Sequence, residues 1–233
     1  MRSFTKFGIS AIALMLLFSA FAPVDTKAQT GGALNEVLKR LEDHRNSLTS
    51  LKANVKMVKY NPQLDEREVQ EGSASYVPKK GRDALIRIDW TKPNEEILSV
   101  VNKKYVIYTK RLKQAITGNA SSAKGSGKAN NLFAFINMSK DELKSNYEIT
   151  YVGEEKVTGG TPTWHLVLNP KTASQFSSAD LWVDGNGMPI QVKITEKNKD
   201  TVTVLLSGLV KNKTIKAKFF EVQLPSDTKI IDG

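Results

Sequence analysis

The sequence predicts a mainly β protein of the α+β class, an incomplete, strongly curved antiparallel β-barrel of about 11–12 strands with an N-terminal helix and short mid-chain helices as a lid. Three observations predict it. Apolar and polar residues alternate with a period of two in two long series, residues 51–117 and 147–222, each punctuated by turn residues. Leu34, Val37, Leu38, Leu41, Leu48 and Leu51 recur at near-helical spacing among charged residues. Between the two series, Gly118 to Asn130 consists of Gly, Ser, Ala, Asn and Lys, the composition of a mobile loop, and two short helical signals follow it.

The elements follow in chain order. Arg2 and Lys6 precede an apolar run from Gly8 to Phe21, and Thr26 and Ala28 supply small residues at the −3 and −1 positions of a cleavage site. Residues 1–28 therefore read as a secretory signal and 29–233 as one domain released into the periplasm. Ser10, Ser19 and Pro23 interrupt the apolar run, which falls short of the ~20 residues that a spanning helix needs. Cysteine is absent, so disulfides, thiolate metal sites, a cysteine nucleophile and a lipid-modified cysteine are excluded. Removing Arg2, Lys6, Lys27 and Asp25 with the signal leaves a net charge of +8, against +10 for the whole chain. Nucleic acid is not an expected partner of an exported chain, and the scattered lysines read as the solvated outer face of a sheet.

After the helix, Leu51, Ala53, Val55 and Met57 alternate with Lys52, Asn54 and Lys56 as a half-buried strand. Further strands are predicted at 69–77, 84–90, 96–101, 105–108 and 112–117, then at 147–152, 155–157, 164–168, 179–183, 190–195, 202–209 and 215–222. Gly159-Gly160 and Asp184-Gly185-Asn186-Gly187 are tight-turn signals. In mid-chain, Leu132, Phe133, Phe135, Ile136 and Met138 crowd nearly every side of one short helix, and Ser139-Lys140-Asp141-Glu142 is a capping box opening a second that runs through Leu143.

No catalytic constellation emerges, and no cofactor or metal is expected. His44 and His165 lack a second ligand at metal spacing and read as structural or surface histidines. Gly125-Ser126-Gly127-Lys128 lacks the upstream glycine of a phosphate loop, and the Asp184 turn lacks the glycine and glutamate of a calcium loop. Glu71, Glu154 and Glu155 read as solvated carboxylates at strand and turn edges. A hydrolase relying on His165 or Glu71 is a distant third reading.

Glu71-Gly72-Ser73-Ala74, Lys79-Lys80-Gly81-Arg82, Arg87-Ile88-Asp89-Trp90-Thr91-Lys92-Pro93 and Asn102-Lys103-Lys104-Tyr105, with the opening helix, Leu166-Val167-Leu168-Asn169-Pro170-Lys171 and the Leu181-Trp182-Val183-Asp184 to Gly187-Met188-Pro189 hairpin, make the chain resemble the LolA-type family of periplasmic outer-membrane lipoprotein carriers. The resemblance implies an apolar cavity under a helical lid, which takes the acyl chains of a lipoprotein from an inner-membrane lipoprotein-releasing transporter and passes them to an outer-membrane acceptor. It also implies a basic lid latch, for which Lys80, Arg82 and Arg87 are the candidates, with Ile86 standing where the family carries an aromatic residue. Alternation puts Val55, Met57, Ile86, Ile88, Trp90, Leu98 and Val100 on the inward face, the candidates for the cavity wall that the resemblance implies, and Leu38, Leu132, Phe135 and Ile136 are the candidates for its lid. The expectation is a monomeric, non-enzymatic carrier of acylated lipoproteins; the alternative is an envelope sensor or a carrier of other lipids on the same architecture.

Overall fold

The computed structural model describes residues 26–78, 84–119 and 133–233. Helix α1 (Thr26–Ser47) opens it. Strands β1 (Leu51–Asn61), β2 (Glu66–Val77), β3 (Leu85–Lys92), β4 (Glu96–Val101), β5 (Lys104–Thr109) and β6 (Gln114–Asn119) form a first meander. Two short helices follow, α2 (residues 133–137) and α3 (Lys140–Asn146). A second meander comprises β7 (Tyr147–Lys156), β8 (Pro162–Pro170), β9 (Phe176–Asp184), β10 (Pro189–Glu196) and β11 (Thr201–Lys211), and β12 (Lys229–Asp232) ends the chain. Among the described residues no helix is long and apolar enough to cross a membrane.

All twelve strands belong to one curved, open sheet in the order β12-β6-β5-β4-β3-β2-β1-β11-β10-β9-β8-β7. Neighbours are antiparallel except β12 with β6. The two meanders join where β11 returns beside β1, pairing Val55 with Leu206 and Met57 with Val204. Alternation explains the two faces: in β1, Leu51, Ala53, Val55 and Met57 are buried while Lys52, Asn54 and Lys56 are exposed. The outer lysines meet carboxylates across the strands, Lys56 and Lys92 both reaching Glu71 at 3.3 Å and Lys59 reaching Glu68 at 3.0 Å. These two lysines hold the exposed Glu71 carboxyl below its ordinary range, and such pairs order a surface more than they stabilise it.

Gly72 explains one resemblance motif. A register shift falls between Glu71 and Gly72, and there β2 comes so close to β3 that any Cβ would collide with the Asp89 carbonyl. The Asp184–Gly187 turn explains another. The Asp184 carboxylate accepts the backbone N–H groups of Asn186 (2.9 Å) and Met188 (2.8 Å), and Gly187 adopts φ +81°.

Several predicted boundaries are corrected. Helix α1 stops at Ser47, so Leu48 and Leu51 lie beyond it. The backbone there is turned by Asn212, whose side chain accepts the Thr49 N–H at 2.8 Å. Leu112 ends a 3-10 turn before Lys113 enters the left-handed region, and β6 starts only at Gln114. The strands expected at 147–152 and 155–157 are one strand, β7, with a register shift at Gly153. Gly118 and Asn119 belong to β6 rather than to the loop, and the rest of that loop lies outside the described residues.

The expected strand at 215–222 does not exist. Ala217–Phe220 form a 3-10 turn, because this segment crosses the outer face of the sheet instead of joining its edge. Phe220 is fully buried there, and the Ser99 hydroxyl donates to its carbonyl. The last strand, β12, is one that no alternation announced. It is docked by the Lys229 N–H on the Lys113 carbonyl and the Gly233 N–H on the Thr117 carbonyl, both 2.8 Å.

Candidate functional site

Strand β1 contributes Val55 and Met57 to the inner face, β3 contributes Ile86, Ile88 and Trp90, and β4 contributes Leu98 and Val100. Register brings them together: Ile88 lies opposite Leu98, and Ile86 opposite Val100. The expected lid residues Leu38 on α1 and Phe135 and Ile136 on α2 are buried in the same continuous apolar cluster. Every one of these ten side chains is at most 7% exposed, so the helices are packed against this face of the sheet. Leu132, Lys80 and Arg82 lie outside the described residues.

Arg87 stands on the other side of β3. Its neighbours in sequence, Ile86 and Ile88, point inward, so alternation turns its guanidinium outward. There it forms a fork with Asp89 (2.8–3.1 Å), donates to the Phe219 carbonyl at 3.0 Å and lies over the Phe219 ring. It clasps the C-terminal segment to the outer face, on the other side of the sheet from the expected lid helices.

The wall extends further than the sequence reading took it. Leu166 and Leu168 of β8, Leu181 of β9, Val192 of β10 and Val204 of β11 continue the same cluster at 1% exposure or less. Their alternation was already visible in the second strand series. A chain of rings joins α2 to the sheet edge, Phe135 to Tyr147 (5.9 Å between centroids) and Tyr147 to Phe176 (6.4 Å). At the opposite side Phe133 of α2 stacks on Tyr76 of β2 at 5.3 Å.

Helices α1 and α3 are tied to one another by polar contacts. Glu42 of α1 accepts from Arg45 at 2.7 Å and from the backbone N–H of Lys140, the first residue of α3, at 2.8 Å. Arg45, then the Lys140 N–H, hold the Glu42 carboxyl below its usual range against the opposing effect of burial. The expected capping box is formed, with Ser139 and Glu142 exchanging bonds at 3.1 and 2.9 Å. Arg40 of α1 spans to the second half of the sheet, lying over the Trp164 ring at 5.1 Å and donating to the Gly185 carbonyl at 2.9 Å.

His44 is buried at the end of α1 beside the 184–187 turn, and its Nε2 has no hydrogen-bond partner. Burial, then the charge of Lys211, pushes its pKa down to about 4. His165 lies on the face of β8 opposite Leu166. Its ring is stacked on Trp182 at 4.4 Å, with Glu155 at 3.0 Å and Asp180 at 2.8 Å from its two nitrogens. Glu155 also accepts from the Trp182 indole at 2.8 Å, which makes this a closed polar cluster tying β7, β8 and β9 together. Among the described residues no group of three His, Asp or Glu is placed to share a metal ion.

What this arrangement offers chemically is a continuous apolar surface on the inner face of the sheet, covered by the helices. The profile of the family described as outer membrane lipoprotein carrier protein LolA matches residues 66–223. No curated protein matches the chain in sequence. Among solved structures, an uncharacterised conserved protein from Thermus thermophilus is similar at 14% identity and TM-score 0.55, over 86% of this chain and 99% of its own. MucB is similar at 12% identity and TM-score 0.53, over 82% of this chain and 63% of MucB. A LolA superfamily protein from Nitrosomonas europaea aligns at 13% identity and TM-score 0.42, over 81% of this chain and 97% of its own. At these identities the first two likenesses describe the fold.

Proposed function

The chain belongs to the LolA family of outer membrane lipoprotein carrier proteins, and from that premise we propose that it shields the acyl chains of lipoproteins on their way across the periplasm from the inner to the outer membrane. The observation that carries this reading is the single apolar cluster shared by the inner face of the sheet and the three helices, since lifting the helices exposes a continuous apolar trough. The physical need is plain: each methylene buried in a bilayer contributes about 0.8 kcal/mol, so three chains of about 15 carbons hold an anchor by roughly 30 kcal/mol. No such anchor crosses water unaided. A carrier lowers that barrier by offering a replacement apolar surface, and it must release its load, so the lid has to seat on the wall well enough to compete with the cargo.

Transfer of this kind requires no bond to be broken and hence no catalytic residue. Val55, Met57, Ile86, Ile88, Trp90, Leu98 and Val100 are the proposed wall; Leu38, Phe135 and Ile136 are the proposed lid. The donor and acceptor membranes would be served by an inner-membrane lipoprotein-releasing transporter and an outer-membrane acceptor. The test is mass spectrometry of whatever copurifies with the protein from a periplasmic extract, for the native chain and for Val55→Thr with Val100→Thr. These substitutions keep side-chain volume but place unpartnered hydroxyls on the wall, each costing about 1–3 kcal/mol when buried. We expect acylated lipoprotein with the native chain and severalfold less with the variant at unchanged circular dichroism. Recovery of free lipid alone would replace the lipoprotein cargo by another lipid, and an empty protein that takes up no acylated ligand would end the carrier reading.

A further inference from the structure

Among the described residues of this inner face, the Tyr76 hydroxyl has nothing to bind. Tyr76 lies near the end of β2, between Leu51 of β1 and Ile86 of β3, and is 1% exposed. Its ring stacks under Phe133 of the lid, and its buried hydroxyl has no hydrogen-bond partner. The charge that acts on it is that of Arg45, whose guanidinium is engaged with Glu42. A phenylalanine would make the same ring contacts without leaving a buried hydroxyl unpaired, so the hydroxyl is a burden in the closed state.

We propose that the Tyr76 hydroxyl is the donor that receives the carbonyl of an ester- or amide-linked acyl chain when the lid lifts, an inference that rests on the carrier reading above. The site matches an uncharged acceptor. Leu51, Ile86 and Phe133 around it would leave a charged headgroup desolvated, with the nearby Arg45 guanidinium already paired to Glu42, whereas a carbonyl needs only one donor. Burial drives the phenol's pKa upward, which keeps the hydroxyl protonated and able to donate. Position fits as well. Leu51 beside Tyr76 begins the inward-facing row Leu51, Ala53, Val55 and Met57, so a carbonyl held at Tyr76 starts its hydrocarbon chain along the wall. Phe133 covers the ring that lies under this route, which makes the donor available only when α2 moves.

The test compares two probes on the whole chain: a peptide bearing an S-glyceryl cysteine with two palmitoyl ester chains, and the same peptide with two hexadecyl ether chains. The native protein should prefer the ester probe by roughly three- to tenfold, the value of one neutral hydrogen bond. Tyr76→Phe should bind both probes at the native protein's ether level while melting at the same temperature or higher. A native protein without ester preference, or a Tyr76→Phe variant that keeps it, overturns the assignment and leaves the carrier reading standing. A native protein that binds neither probe overturns both.

Discussion

At Gly187 two constraints meet in one residue. The turn requires φ +81°, and a Cβ would run into the backbone carbonyl of Arg40, so only glycine lets this hairpin lie against α1. His44, one turn of α1 further on, carries the opposite kind of constraint, a titratable ring held in a site that disfavours its charge. Its pKa falls from 6.5 to about 4 on folding, so the unfolded chain binds the proton first as pH drops. Stability from this group is complete above pH 6.5, declines as the pH falls towards 4 and is gone below it. A shift of that size corresponds to roughly 3 kcal/mol at 1.36 kcal/mol per unit. We expect urea midpoints measured between pH 7 and 4 to fall more steeply for the native chain than for His44→Leu. Parallel curves would show that the ring is accommodated charged.

The elements differ in how firmly they are held. Strands β1 and β11 lie at the centre of the sheet and pair on both sides, whereas α3 is short and its N-terminus is held by its own capping box together with one carboxylate from α1. Glu42 is charged, sits at the helix start where a negative charge is favoured, and bridges to the Lys140 N–H. Hydrogen bonds to charged groups contribute about 1.5–3 kcal/mol. In Glu42→Ala the amides of α3 should therefore exchange with deuterium roughly ten- to hundredfold faster, while those of β1 and β11 keep their native rates. Uniform acceleration throughout the chain would mean that the lid and sheet open together rather than separately. The C-terminal segment is a distinct element again, clasped by Arg87, Ser99 and Lys52 on the outer face, so its contacts are independent of the lid.

For the whole molecule the central question is whether the closed cluster exchanges its own lid contacts for a ligand's. A ligand that binds only the folded chain stabilises it by about 2.7 kcal/mol at a hundredfold excess over its Kd. For a domain of this size that corresponds to a rise in Tm of roughly 5–10 °C. We expect a diacylated peptide at that excess to produce such a shift by differential scanning fluorimetry, and the same peptide without acyl chains to produce none. Equal shifts from both would locate the binding on the polar surface instead of the wall.

Local chemistry was enough to read the fold class, the opening helix, the mid-chain capping box and the inner-facing residues Val55, Met57, Ile86, Ile88, Trp90, Leu98 and Val100, because burial of one sheet face imprints a period of two on each strand. The same period turned Arg87 outward, but its partner there comes from residue 219, more than a hundred positions away. Contacts of that separation leave no local trace: the return of β11 to β1, the parallel docking of β12 on β6, and the crossing of Ala217–Phe220 over the outer face, where alternation alone pointed to another strand. The unpaired state of the Tyr76 hydroxyl and of His44 Nε2 belongs to the same class, since a side chain's hydrogen-bonding deficit depends on every neighbour the tertiary structure assembles around it.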